Sequence, residues 1–304
     1  MAELSMFSLL LRRRPPMNRP PFWGVDKDIG EVMPATGEGD QRALPELRAE
    51  IDKIDAEMHR LLMARGAVID SLIRIKGTSR PGAAFRPGRE ADMMRRLVDR
   101  HDGALPLATV EHIWREIITT FTRMQAPFDV AIDTSVAPDR IRDLARFYFG
   151  FSVAITPLDG PVAVIAHVAE TSDIGLIAID QPSSAGAWWR GLTAAAAPRI
   201  TGVLPFIEAA SRPANLPAFI ISPRLTDPTP TEVTLYAADA RAARRIGNGE
   251  VLARAGDDAL VAVPDRLGSA VDGVVEVGSI FRGIALDRES SCLFQSRAAA
   301  EAAS

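Results

Sequence analysis

Between Leu47 and Ile75 the apolar residues recur at steps of four and three: Leu47, Ile51, Ile54, Met58, Leu61, Val68, Leu72 and Ile75. Arg65 stands where that rhythm requires another apolar side chain. Such steps return to one side of an α-helix on every turn. The spacing therefore predicts one helix of about 30 residues from Pro45 to Lys76, near 45 Å at about 1.5 Å per residue. Pro45 suits a first helical turn, and Gly77 suits a helix end. A seam of that length stays wet unless something equally long covers it, and a second copy of the same helix is the natural cover.

After a Gly/Pro-rich loop over 77–88, the pattern predicts a second helix over 89–101, with Met93, Leu97 and Val98 inward. A third is predicted over 108–125, its inner face made of Val110, Ile113, Trp114, Ile117, Ile118, Phe121 and Met124. Residues 44–126 thus read as an all-α unit of three helices. It is too thin to build a deep core alone, which again argues for a dimer.

Past Pro127 the pattern alternates. Helices are expected over 139–149, 160–169 and 185–195. Strands are expected over 151–155, 174–179, 200–207, 218–222 and 232–237, with short apolar segments split by Gly and Asp over 238–285. The alternation predicts an α/β unit with a partly parallel sheet across 127–304. Residues 1–43 lack periodicity and are expected to be a disordered leader, or a start codon placed ahead of Met17 or Met33. The Ala-rich last dozen residues are expected to be helical or frayed.

Composition narrows the function. With 304 residues, 47% of them apolar, the chain can bury two cores. A net charge of −4 argues against general nucleic-acid binding. Cys292 is the single cysteine, so neither a disulfide framework nor a thiolate metal site is available, which fits a reducing compartment. His59, His101, His112 and His167 lack metal-ligand spacing. No apolar run approaches the roughly 18 residues a membrane span requires, and the cytoplasm is the expected location.

The chemistry lies in the cations of the helical part. A cation in an apolar seam is costly unless an anion meets it. Arg65 and Lys76 are 11 residues apart, so they project within about 20° of each other and can converge on one ligand. Arg48 lies about 100° around the same cylinder and reaches that ligand more readily from an antiparallel partner helix. Arg89-Glu90 and Gln125 add a charge pair and an amide. Taken singly, each has a plainer reading: a solvated pair aided by the helix dipole, or an amide bonding in a core or at a helix end. Together they suggest a pocket for a small molecule with several negative charges.

The segments LPELRAEIDKIDAEMHRLLMARGAVIDSLIRIKG, FRPGREADMMRRL and IWREIITTFTRMQ closely resemble the all-helical class of chorismate mutases, which also occur fused to prephenate dehydratases. The resemblance covers about 80 residues. It implies an intertwined homodimer with shared active sites that rearranges chorismate to prephenate with no metal or cofactor. Arg65 would bind a substrate carboxylate, with Arg48 doing so from the other subunit. Lys76 and Gln125 would donate to the ether oxygen as its bond to carbon breaks. Glu90 would accept from the ring hydroxyl, and Arg89 would hold the local network. The residues themselves suit such a reaction, because a pericyclic rearrangement needs compact binding and donors aimed at developing charge rather than a nucleophile. The chain departs from the family pattern at Arg86, where an Asp is common, and at Phe121, where a small hydroxyl residue is common.

Residues 138–222 faintly resemble the prephenate dehydratase domain, whose fold is periplasmic-binding-protein-like. RIRDLARFYFG is similar to its first helix, and DIGLIAIDQPSSAG to its Pro-Ile-Glu-Asn-Ser strand and loop. Where that family carries Thr-Arg-Phe, this chain has Pro217, Ala218 and Phe219, which offer neither hydroxyl nor cation, so dehydratase activity is expected to be absent. Two other readings stay open: an isochorismate-pyruvate lyase with a similar helical dimer, and a non-catalytic sensor of aromatic-pathway metabolites. The amide at Gln125 gives a direct test. Gln125→Glu is expected to work only in acid, where its carboxyl is protonated and can donate. A flat pH profile for that variant would take Gln125 away from the breaking bond.

Overall fold

The computed structural model describes residues 38–76, 85–208, 212–225, 232–246, 248–264, 266–269 and 271–285. Residues 1–37 of the expected leader, most of the 77–88 loop, Cys292 and the Ala-rich end lie outside the described residues. No described helix is long and apolar enough to cross a membrane. The chain divides into two compact units. The described part of one is the long helix, and the described part of the other begins at Phe85.

The long helix, α1, spans Glu38–Lys76. Its end at Lys76 agrees with the sequence, but its start does not. Residues 38–43, expected in the leader, are helical, and Pro45 lies inside the helix rather than in its first turn. Proline removes only its own bond to the carbonyl four residues back, so the helix can run through it at some cost. The apolar seam is uncovered: Leu47, Ile51, Ile54, Met58 and Leu61 are each between 52 and 56% exposed. A helix with that face in water is stable only once the face is buried.

In the other unit, α2 (Pro87–Arg100) and α3 (Leu107–Gln125) precede the sheet. Then follow β1 (Val130–Asp133), α4 (Pro138–Phe149), β2 (Ile155–Leu158), α5 (Pro161–Thr171) and β3 (Ile174–Ala178). Proline opens α2, α4 and α5, where its missing N–H costs nothing. Gly150 ends α4 at φ 74°, a left-handed conformation that favours glycine, and a Cβ there would also force the Glu116 carboxylate of α3, 2.0 Å away, to swing aside. The remaining strands are β4 (Arg199–Leu204), β5 (Ile207–Glu208), β6 (Ala218–Ser222), β7 (Val233–Asp239), β8 (Glu250–Ala255), β9 (Asp258–Pro264), β10 (Val274–Ile280) and β11 (Ile284–Ala285). A short helix, α6 (Ala240–Ala243), lies between β7 and β8.

Nine strands form one mixed sheet in the order β2-β1-β3-β6-β4-β10-β7-β9-β8. β2, β1 and β3 run parallel, and β6 pairs antiparallel with both β3 and β4. Alternation places Ala131, Ile177 and Phe219 on one face with Val164, Ile165 and Val168 of α5. Val130, Ile132, Leu176 and Ile220 sit on the other face with Ile141, Leu144 and Tyr148 of α4. With both faces covered, these strands read as continuous apolar runs. The expected partly parallel α/β sheet is therefore present.

Three local expectations are corrected. The strand expected over 151–155 begins instead at Ile155 and carries Pro157, which the outer position of β2 in the sheet accommodates. The helix expected over 185–195 is two 3₁₀ turns, Ser183–Ala185 and Trp188–Leu192. Buried Trp188 and Trp189, packed edge-to-face at 5.8 Å, hold that segment against the sheet. The strand expected over 200–207 divides at Pro205 into β4 and β5, because proline has no N–H for a ladder.

β5 pairs with β11 in a separate two-stranded ladder, and α2 and α3 pack there. Met94, Leu97, Val98 and Ile118 share a core with Phe206, Ile207 and Ile284. Burial at this ladder pushes the Glu208 carboxyl up to about 7. Its folded value is raised, so its contribution to stability is complete below the ordinary carboxylate range and is lost as pH rises through about 7. Glu208→Gln is therefore expected to raise stability at pH 8 by up to about 3 kcal/mol and to change little near pH 4. Urea unfolding midpoints at the two pH values measure this.

Candidate active site

The residues singled out in the sequence fall into the two units. Arg48, Arg65 and Lys76 lie on α1, and Arg89, Glu90 and Gln125 lie on α2 and α3. On α1, Arg48 is exposed, Arg65 is half-buried and Lys76 is the last helical residue, its side chain outside the described residues. On α2, Arg89 is exposed, while its neighbour Glu90 turns inward. Gln125 closes α3, half-buried, and its Nε2 donates to the Phe121 carbonyl at 2.9 Å. Arg86 and Phe121, the two departures noted in the sequence, are both half-buried.

Glu90 is the best-defined of these groups. Arg115 of α3 donates from Nη1 to Glu90 Oε2 at 2.9 Å, the two side chains being 7% and 17% exposed. Burial pushes the Glu90 carboxyl above the usual carboxylate range, and the Arg115 charge and hydrogen bond oppose that rise. The Arg115 guanidinium lies 5.0 Å from the centre of the Tyr148 ring on α4.

Tyr148 leads to a second buried pair. Its hydroxyl donates to Glu111 Oε1 at 3.0 Å and accepts from the Phe206 N–H at 3.2 Å. Burial first, and then the Glu111 charge, keep that phenol protonated at any ordinary pH. Glu111 Oε2 faces Arg212 Nη1 at 2.9 Å, with both side chains 2% exposed or less. Arg212 donates to the Ile207 and Pro213 carbonyls and lies over the rings of Phe147 and Tyr148. Two ion pairs and a phenol thus form one buried polar ladder from α2 through α3 and α4 to the segment after β5.

The ladder corrects part of the expected inner face of α3: Ile118 is buried, with Val110 and Trp114 packed beside it, but a polar stripe is buried as well. The buried residues of α3 are Leu107, Glu111, Arg115, Ile118, Thr119 and Thr122. Ile113 and Met124, expected inside, are 41% and 49% exposed. The polar face can be buried because its charges find partners there, which an apolar-face rule does not consider. Arg115 and Glu111 were missed for that reason. A signal was nonetheless present, since Glu111, Arg115, Thr119 and Thr122 recur at steps of four, four and three, a helical stripe made of polar residues.

In the sheet, Asp133 ends β1 fully buried. It accepts from the Ser135 N–H at 2.9 Å, from Ser135 Oγ at 2.6 Å and from Gln181 Nε2 at 2.7 Å. Gln181 belongs to the loop after β3. Ala218 and Phe219 are buried in β6, where the Phe219 ring lies 6.0 Å from Trp188. Among the described residues, no group of three or more His, Cys, Asp or Glu side chains is arranged to hold a metal ion.

Residues 47–126 match the family chorismate mutase type II. This span holds all six residues singled out above together with Arg115 and Glu111. The chain is 36% identical over 92 residues to a bifunctional chorismate mutase/prephenate dehydratase of Neisseria gonorrhoeae, a stretch covering 30% of this chain and 24% of that protein. Proteins of the same description from Pseudomonas aeruginosa and Aquifex aeolicus are 27% and 29% identical. The match covers 43% of this chain and 36% of the Pseudomonas protein, and 45% of this chain and 39% of the Aquifex protein. The chain therefore spans about a quarter to two-fifths of the length of these curated relatives. No solved structure matches it.

The ladder has its own consequence for stability. Arg212→Ala leaves Glu111 buried without its cation and is expected to cost about 3–5 kcal/mol. Replacing both partners with Met should cost less than the two single losses added together, because no orphaned charge remains. A double-mutant cycle by chemical denaturation measures the difference.

Proposed function

We propose that this chain is a chorismate mutase, an isomerase that rearranges chorismate to prephenate on the route to aromatic amino acids. The observation that carries the reading is the family match over residues 47–126, a span that includes Arg48, Arg65, Lys76, Arg89, Glu90 and Gln125. In this reading the enzyme works as a homodimer in the cytoplasm with shared active sites. The support for the dimer is the uncovered apolar seam along α1, which a second copy of the helix would bury.

Arg65, with Arg48 from the other subunit, holds the two carboxylates, and Arg89 organises the site around them. Glu90 accepts from the ring hydroxyl. Lys76 and Gln125 donate to the ether oxygen as negative charge builds on it. The chemistry asks no more of the protein than compaction of the substrate and donors placed in advance where charge develops. Together these must supply at least roughly 8 kcal/mol.

The α/β half is read as a periplasmic-binding-protein-like domain without dehydratase activity. The first part of that reading is supported by the parallel β2-β1-β3 run covered by helices on both faces. The second is supported by Pro217 and by the buried Ala218, which stand where a hydroxyl and a cation would be needed.

Purified full-length protein should consume chorismate and yield prephenate. Salicylate and pyruvate from isochorismate would identify a lyase instead, and ligand-induced stabilisation without turnover would identify a sensor. Lys76→Ala is expected to lower kcat/KM by roughly 100-fold or more, the usual cost of losing a donor to a developing oxyanion. Unchanged kinetics in that variant would refute the assignment.

A further inference from the structure

Glu90 accepts most strongly from a ring hydroxyl as a carboxylate, yet it sits where burial favours the neutral acid. Something must keep it charged and aimed. Among the described residues its ion pair is with Arg115, ten residues before Gln125 on α3. From α4 the nearest titratable group is the Tyr148 phenol, beneath the Arg115 guanidinium. From β4, β6 and the segment before β11 the surroundings are Thr201, Leu204, Ile220 and Phe281, none of which titrates.

Arg115 is the more enclosed of the pair, 7% exposed against 17% for Glu90. The cavities that the two line together have volumes of about 10 and 30 Å³, space for a water or two. The Arg115 guanidinium is held on both sides: by the Glu90 carboxylate, and by a ring whose hydroxyl is fixed at Glu111 and the Phe206 N–H. The ring comes from α4, and the N–H comes from the link between β4 and β5. The seat of Arg115 is therefore built partly by the α/β half.

Resting on the mutase reading above, we infer that Arg115 is a positioning residue that holds the Glu90 carboxylate in place for substrate, and that the α/β half supplies its seat through Tyr148. The carboxylate is made on α2, but its aim is set by α3 and α4. This gives the α/β half a role in the mutase reaction that requires no activity of its own.

The test uses the full chain, with steady-state loss of chorismate followed from pH 5 to 9. A hydroxyl acceptor acts in the bound substrate as well as in the transition state, so its misplacement appears mainly in KM. Arg115→Met is expected to raise KM roughly tenfold, with kcat within about threefold of wild type. It should also move the acidic limb of the kcat/KM profile to higher pH, since Glu90 then loses the charge that opposes its burial. In a Glu90→Gln background the same substitution should cost nothing further. Arg115→Lys, which keeps the charge but loses the planar fork, should recover part of the loss.

Effects that multiply with those of Glu90→Gln, or an acidic limb that stays in place, would overturn the inference. If Arg115→Met shows no cooperative thermal transition, Arg115→Lys carries the test, and an unmoved limb in that variant is equally fatal. Wild-type protein that leaves chorismate untouched sinks the mutase reading and this inference with it. Active wild type, inactive Lys76→Ala and unaltered Arg115 variants sink this inference alone.

Discussion

Two buried arginines face two glutamates, Glu111 fully buried and Glu90 half-buried, across one tyrosine, and the second unit is organised around that arrangement. Glu111 and Arg212 are almost completely withdrawn from water, and such a withdrawal costs several kcal/mol per ion before any partner is met. The cost is offset only when partner groups are held in place, and here backbone and rings do the holding. Arg212 reaches the Ile207 and Pro213 carbonyls and lies over the Phe147 and Tyr148 rings, and Tyr148 bonds to Glu111 and to the Phe206 N–H. α3 consequently meets α4 through a polar face rather than an apolar one. Misplacing α4 would leave charges unpaired, which is a stronger penalty than a loosened apolar contact.

That geometry links the helices to the sheet. α2 and α3 bury too little to form a core of their own, and the missing half comes from Phe206, Ile207 and Ile284 at the small β5-β11 ladder. The same ladder carries the raised Glu208 carboxyl and, at Phe206, the N–H that fixes Tyr148. The α1 seam, by contrast, is exposed at Leu47, Ile51, Ile54, Met58, Leu61, Val68 and Ile75.

The sheet follows from its own sequence with fewer surprises. Strands covered on both faces read as near-continuous apolar runs, and β1, β3 and β6 do so apart from Asp133 and Ser222 at the ends of β1 and β6. Departures from expectation cluster at proline and tryptophan. Pro157 sits in the outermost strand, Pro205 separates β4 from β5, and the bulk of Trp188 and Trp189 holds a segment in 3₁₀ turns that propensity alone would make an α-helix.

What the sequence alone determined is whatever local periodicity and residue chemistry can carry. It set the long helix and its end at Lys76, the spans of α2 to α5 to within a few residues, and the β3 and β6 strands. Each of these depends on neighbours within a turn or two, or on identities that can be read one by one. The tertiary structure alone decided which face of α3 is buried, that Arg115 is the partner of Glu90, and that Tyr148 and Arg212 complete the ladder. Those pairings join residues 25 to more than 100 positions apart. A charge in the sequence does not reveal whether an opposite charge will meet it, and for a buried ion that meeting decides between a severe penalty and a stable contact.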